Sequence, residues 1–416
     1  MNVTLKIRDF DDPTFDPFTV FDDSFGRHVD SPYPELAELG KQARVHPHEY
    51  RTLFGLAPDV TTADMPHFTV LGYELVQQIY SHPQIYSNKI FERMLGPGFG
   101  RTVTTMDAPE HTRYRRLFQQ AFMPNVIARW GDGIVQPVAD ELVGSFMARG
   151  SADLVKEFTS LYPFHIIYRQ LGLPPDDRQI FHKLAVALTV AGTNVEKAME
   201  ASAKLGAYYG ALTEMRYERP GDDLVSLLTK IEVEGERLPK EILISFLRQL
   251  INAAGDTTYR ATSNLLVALL THPEQLDAVR RDRSLIPQAI DETLRWECIV
   301  MTGFRMALQD TELDGVRIPA GSAVEAVNGS ANRDASRYSD PGRFDIFRKA
   351  TSRHMAFAYG AHVCIGQHLA RLEMTRALNS MLDRLPNLRL DPDMPPPRIF
   401  GCTMRHPEHI YVKFDA

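Results

Sequence analysis

The stretch Phe357-Ala358-Tyr359-Gly360-Ala361-His362-Val363-Cys364-Ile365-Gly366 decides how this chain is read. It runs directly into Gln367-His368-Leu369-Ala370-Arg371-Leu372-Glu373-Met374, whose apolar residues have helical spacing. Cys364 therefore sits in a loop that opens a helix. Free backbone N–H groups and the positive end of the helix dipole both stabilise a thiolate there. Gly360 and Gly366 permit tight turns that wrap backbone donors around the sulfur. His362 adds a donor or cation two residues away. An isolated cysteine is ordinarily a small buried hydrophobe. Phe, Gly, His or Arg, Cys and Gly at these spacings should coincide in about 10⁻⁴ of chains of this length at average residue usage.

The rest of the chain suits a globular protein with a large interior. Its 416 residues are 44% hydrophobic and 24% charged, with a formal net charge of −7. That length buries a core with room for a sizeable ligand. The acidic balance disfavours nucleic acid as a partner. No apolar run is long enough to span a bilayer, and the N-terminal segment lacks the pattern of a secretory signal. Only three cysteines are present, Cys298, Cys364 and Cys402, too far apart for a zinc pattern. These features lead us to expect a soluble cytoplasmic protein with no membrane contact.

Helical patterning dominates, with strand-like pieces at residues 67–73 and 409–414. Gly96-Pro97-Gly98-Phe99-Gly100 lacks the Lys-Ser/Thr ending of a phosphate loop. No proline interrupts the chain between Pro239 and Pro273, so one helix of roughly 50 Å is expected there. Its middle, Ala253-Ala254-Gly255-Asp256-Thr257-Thr258, is an odd place for a glycine and three polar residues. A Gly costs ~1 kcal/mol relative to Ala in a helix interior. The bland reading is a partly exposed helix face, and the sharper one is a functional break in a buried helix.

The cysteine segment resembles the haem-binding signature of the cytochrome P-450 superfamily, Phe-x-x-Gly-x-His/Arg-x-Cys-x-Gly, and meets every fixed position. The resemblance extends from about residue 60 to the C-terminus. It implies a mainly α fold with small β-sheets, a long central helix across the haem, and one haem domain over residues 1–416 with no fused reductase. It implies Cys364 as the iron ligand of haem b, in a cradle that includes Phe357 and Gly366. A thiolate opposite the oxygen site favours O–O cleavage, which is why the chemistry wants Cys there.

Other residues take their roles from the same resemblance. His111, Arg115, Arg305 and His362 match positions that reach the haem propionates. Glu292-Thr293-Leu294-Arg295 resembles the Glu-x-x-Arg motif, and Arg343, in Pro341-Gly342-Arg343-Phe344, would complete a structural Glu-Arg-Arg cluster. Asp256 and Thr257 match the catalytic acid–alcohol pair that supplies protons. Ala254 departs from the family pattern, because the usual glycine is displaced to Gly255.

The implied activity is haem-thiolate monooxygenation. O₂ and two electrons oxidise a small, largely apolar molecule, and oxidative coupling, dehydrogenation or a non-catalytic haem sensor are the alternatives. Electrons would come from a separate ferredoxin or flavodoxin with its NAD(P)H reductase, docking on Arg113 and Arg116. The expected substrate pocket comprises Phe91, Met94, Leu95, Phe99, Leu188, Gln249, Asn252, Ala253, Met301, Cys402 and Thr403. The amides of Gln249 and Asn252 would read a polar group near the reacting end of the substrate.

Overall fold

The computed structural model describes residues 5–349 and 352–416. Its organising element is the expected long helix, Lys240–Leu270, which starts directly after Pro239 and stops before Pro273. At ~1.5 Å per residue it runs about 46 Å. Apolar side chains cover nearly its whole circumference, so it is buried on several sides at once. The helices Tyr162–Gln170, Val195–Glu218, Ile286–Trp296 and Gln367–Arg384 pack around it.

Gly255 takes its meaning from this packing. A Cβ there would lie 2.4 Å from the Phe164 ring, so the glycine lets the Tyr162–Gln170 helix approach closely. It is not a break in the helix, which continues without interruption through residues 253–258.

One five-stranded sheet lies apart from this helical core. In chain order its strands are β1 (Val45–His46), β2 (His67–Val70), β3 (Tyr86–Ser87), β4 (Thr302–Ala307) and β5 (Ala323–Val327). Their spatial order is β1-β2-β5-β4-β3, with β2 and β5 parallel and the other pairs antiparallel. The strand-like pattern at residues 67–73 thus becomes β2. That at 409–414 becomes Tyr411–Lys413, which pairs with Ser151–Asp153 and Arg389–Leu390.

The two central strands, β4 and β5, carry no legible pattern. All of β5 is buried, so it has no polar alternation, and Glu325 interrupts its apolar run. That carboxylate is held inside by His67 Nδ1 at 3.1 Å and by the Tyr50 amide at 3.1 Å. Among the described residues no helix is long and apolar enough to cross a membrane.

Candidate active site

The cysteine loop is shaped before any ligand is considered. A short turn at Gly360–His362 precedes Cys364, and the helix Gln367–Arg384 follows it. The Cys364 amide donates to the Phe357 carbonyl at 3.0 Å, which closes the loop. Gly360 has φ +73°, and a Cβ there would lie 2.4 Å from the Tyr80 carbonyl oxygen, so conformation and space both require glycine. Gly366 differs from expectation. Its φ of −84° is open to any residue, and it serves instead as the clear space beside the sulfur, with its virtual Cβ 4.0 Å from Sγ.

Cys364 keeps an accessible surface although it lies at the start of an interior helix. Burial pushes its thiol above the usual range. Backbone amides of Gly366 and Gln367, and the charges of Arg115 and Arg371, oppose that shift. Arg371 also stacks over the Phe357 ring at 4.5 Å.

Beside the loop, four cationic or basic side chains converge from three elements. His111 and Arg115 come from the helix Glu110–Gln120, Arg305 from β4, and His362 from the loop itself. The His111 and His362 rings lie 3.9 Å apart. Arg115 donates to the Val363 carbonyl, and Arg305 lies over the Tyr80 ring at 4.8 Å. Burial, aided by Arg115, pushes His111 down to about 4. Burial, aided by His111 and both arginines, pushes His362 down to about 2.

Among the described residues no carboxylate bonds to any of the four. The carboxylate that acts on His111 and Arg305, Asp107, is already taken by Ser87 and Asn88. His111 Nε2 and Arg115 Nε are buried with no protein partner. A group bearing two carboxylates beside a ligand for the sulfur fits this donor set, and haem is such a group.

The long helix presents Ala253 exposed and Thr257 half-buried, although most of its residues are buried. Thr257 Oγ1 donates to the Ala253 carbonyl at 2.7 Å, so its lone pairs remain to accept. Asp256 is buried and locked by Arg260 Nε at 3.0 and 3.1 Å. Arg260 in turn donates to His406 Nδ1. Sequence reasoning missed this Arg260 clamp, although the four-residue spacing from Asp256 was in plain view.

The Glu-x-x-Arg helix forms a closed cluster, with one correction. Glu292 receives both Arg295 Nε and Nη2 at 2.7 Å. The second guanidinium is that of Arg348, whose Nε reaches Glu292 at 3.1 Å, and not that of Arg343. The Arg343 side chain is exposed, and only its carbonyl joins, as acceptor for Arg295 and Arg348. The turn at Arg343 points its side chain outward and brings the later arginine in.

The expected substrate pocket divides. Phe91, Met94, Leu95 and Thr403 are half-buried, and Phe91 packs edge-on to Phe304 next to Arg305. Thr403 Oγ1 is buried without a partner. Phe99 and Leu188 are absorbed into the main core. Met301 and Cys402 lie elsewhere, in a separate small core with Tyr33, Tyr50 and Cys298. The two amides differ from each other. Gln249 pairs with the Thr104 hydroxyl, its Nε2 donating at 2.9 Å. Asn252 is buried, and its Oδ1 bonds to nothing among the described residues.

Arg113 and Arg116 are already engaged. Arg113 Nε meets Glu236 at 2.9 Å and Arg116 Nη1 meets Glu234 at 2.6 Å, both from the hairpin built on Glu232–Val233 and Glu236–Arg237.

Comparison with known proteins agrees with this geometry. The model of the family cytochrome P-450 matches residues 179–414. The chain is 34% identical over 388 residues to cytochrome P-450 107B1 of Saccharopolyspora erythraea, covering 89% of this chain and 91% of that one. It is 35% identical over 337 residues to the vitamin D3 dihydroxylase of Streptomyces griseolus, covering 78% and 81%. Among solved structures, the cytochrome P-450 CYP109Q5 of Chondromyces apiculatus is similar at a TM-score of 0.81 and 30% identity, over 93% of this chain and 96% of that one. The chain belongs to the cytochrome P-450 family. It is an oxidoreductase of the monooxygenase type that uses haem and takes electrons from a partner.

Proposed function

We propose that residues 1–416 work as one cytoplasmic haem b domain that hydroxylates a small, largely apolar organic molecule. The observation that carries this reading is the pairing of an accessible Cys364, facing backbone donors, with four buried or half-buried basic side chains that no carboxylate bonds among the described residues. Cys364 supplies the thiolate. His111, Arg115, Arg305 and His362 take the two propionates. Phe357 and Gly366 shape the space around the sulfur.

Haem, when bound, would supply the O₂ chemistry, in which one oxygen atom goes to the substrate and the other to water at the cost of two electrons and two protons. The protein's part is orientation and proton supply. Thr257 presents an acceptor on the exposed face of the long helix, and Ala253 leaves room beside it. Asp256, one residue away, is the proton source. It must let go of Arg260 to deliver, so the clamp limits the delivery step.

Phe91, Met94, Leu95, Ala253 and Thr403 offer the substrate an apolar wall with one free hydroxyl. A small acidic ferredoxin or a flavodoxin, reduced by its NAD(P)H-dependent reductase, delivers the electrons on the Arg113 and Arg116 side. Docking there competes with Glu234 and Glu236. Turnover under ¹⁸O₂ tests the reading. Product should carry one ¹⁸O atom per molecule, whereas coupling or dehydrogenation would leave it unlabelled.

A further inference from the structure

One turn after Asp256, Arg260 carries contacts out of the long helix and into the C-terminal part of the chain. It is 1% exposed. Its guanidinium carbon lies 5.2 Å from the centre of the Phe25 ring and 5.4 Å from that of Tyr259. Its Nη1 donates to His406 Nδ1. His406 belongs to the short hairpin of Ile399–Phe400 and His406–Pro407, where it pairs with Phe400. The residue before it anchors the hairpin. The Arg405 side chain holds Glu297 and the Asp30 carbonyl, and its amide donates to the Ile299 carbonyl at 3.1 Å. Asn264, on the long helix, donates to the Arg405 carbonyl at 3.2 Å. The imidazole is therefore the fixed member of the pair, and the long arginine side chain is the adjustable one.

Two buried arginine–carboxylate pairs show what this anchoring does. Arg295 meets Glu292 as a fork, Nε on one oxygen and Nη2 on the other, both at 2.7 Å. Two parallel bonds are the strong form of such a pair. Arg260 meets Asp256 differently. Among the described residues, only its Nε reaches that carboxylate, sharing one hydrogen between Oδ1 at 3.1 Å and Oδ2 at 3.0 Å. A guanidinium is a rigid plane, so its nitrogens turn together. The turn that would bring Nη2 onto Asp256 would pull Nη1 off His406. A guanidinium only donates, so His406 must accept, with a neutral ring and its proton on Nε2. Burial, aided by the facing charges of Arg260, Arg405 and Arg27, pushes His406 well below the ordinary histidine range and keeps it neutral.

We infer that His406 is a positioning residue: by holding Arg260 Nη1 it keeps the guanidinium from closing on Asp256 as a fork, and so keeps that carboxylate releasable. The inference rests on the reading of Asp256 as the proton source. His406 acts through Arg260 and not on the reacting atoms. His406→Leu fills similar space without an acceptor and frees Nη1, so the guanidinium turns and adds one charge-assisted bond to Asp256. His406→Asn keeps an acceptor, because its Oδ1 takes the place of Nδ1.

The first test uses the haem-loaded, reduced, carbon monoxide-bound protein and needs no turnover. ¹⁵N spectra give the tautomer of His406 and the position of the Arg260 Nε–H signal, assigned by their loss in His406→Asn and Arg260→Lys. Wild type should show a bare Nδ1. The Arg260 signal should move downfield in His406→Leu and stay in place in His406→Asn. A proton on Nδ1 in wild type, or an unmoved Arg260 signal in His406→Leu, overturns the inference. Turnover is then driven by a plant-type ferredoxin and its NADPH reductase, with ethoxycoumarin as probe, and peroxide formed per NADPH is measured. The ratio of reducing equivalents kept to those lost as peroxide should fall about tenfold in His406→Leu and stay near wild type in His406→Asn. It should fall in Asp256→Asn, with no further change when His406→Leu is added. A further fall in that double variant would make His406 merely structural and overturn the inference. A wild-type ratio in His406→Leu beside a lowered one in Asp256→Asn overturns the inference and spares the proton-source reading. A wild-type ratio in Asp256→Asn overturns that reading, and the inference with it.

Discussion

The basic groups around Glu292 and those around His111 are buried to similar depth, yet they are built on opposite terms. Arg295 and Arg348 share Glu292, and their other donors go to the carbonyls of Asn332, Ser339, Asp340, Pro341 and Arg343. Each guanidinium there holds an oxygen of a carboxylate. His111, Arg115, Arg305 and His362 answer one another only with repulsion, and both histidines are held neutral. A buried cluster that balances itself holds the fold, whereas one left unbalanced is poised for an anion from outside. Sequence spacing alone does not separate the two cases. Charge accounting in three dimensions does.

The comparison breaks most readily at its balanced end. Glu292→Ala should strand two guanidinium groups and cost about 3–5 kcal/mol. Urea unfolding of the purified variant, or the absence of any folded protein, would show it. A loss below about 1 kcal/mol would mean that the carbonyls suffice.

The unbalanced end should respond in another currency. Arg115→Gln should leave the unfolding midpoint of the haem-free protein unchanged or raised, since it removes an uncompensated charge. It should speed haem transfer to apomyoglobin about tenfold, the worth of one charge-assisted hydrogen bond. Equal destabilisation with and without haem would make Arg115 a structural residue like Arg295.

A pH titration sharpens the same contrast. His111 in the haem-free fold titrates near 4, below its unfolded value of about 6.5. The unfolded chain therefore binds more protons between those values, and stability falls as pH drops from about 6.5 toward 4. Haem carboxylates should favour the protonated ring and flatten this slope. Unfolding midpoints at several pH values, with and without haem, measure it. Identical slopes would remove His111 from the haem site.

The smallest effect belongs to the exposed pairs. Glu234→Gln with Glu236→Gln should change stability by no more than ~1 kcal/mol, because exposed ion pairs are worth little. The same change should raise the association rate of an acidic ferredoxin at low salt and leave it unaltered at high salt. An unchanged rate at low salt would show that the hairpin does not shield Arg113 and Arg116.

Legibility followed the local character of each feature. The Cys364 loop, the Lys240–Leu270 helix and the Glu292–Arg295 pair depend on neighbours in the chain, and all three could be read from spacing. Arg348 could not, because its place in the cluster depends on which way the turn after Pro341 sends each side chain. Met301 and Cys402 could not either. They join Tyr33 and Tyr50, contacts that span most of the chain. Strand β5 hid because a strand buried on both faces has no alternation to read, and β4 hid because its burial does not alternate. Gly255 was legible as unusual, but its cause is a phenylalanine on another helix.

The central claim is that Cys364 sulfur binds the haem iron. The most direct test is the absorption spectrum of the reduced, carbon monoxide-bound protein for wild type and Cys364→Ser, with Cys298→Ser and Cys402→Ser as controls. Thiolate ligation gives a strongly red-shifted Soret band, which a weakly coordinating hydroxyl cannot support. Wild type and both controls should show that band, and Cys364→Ser should lose it while still folding. Retention of the band in Cys364→Ser would contradict the account.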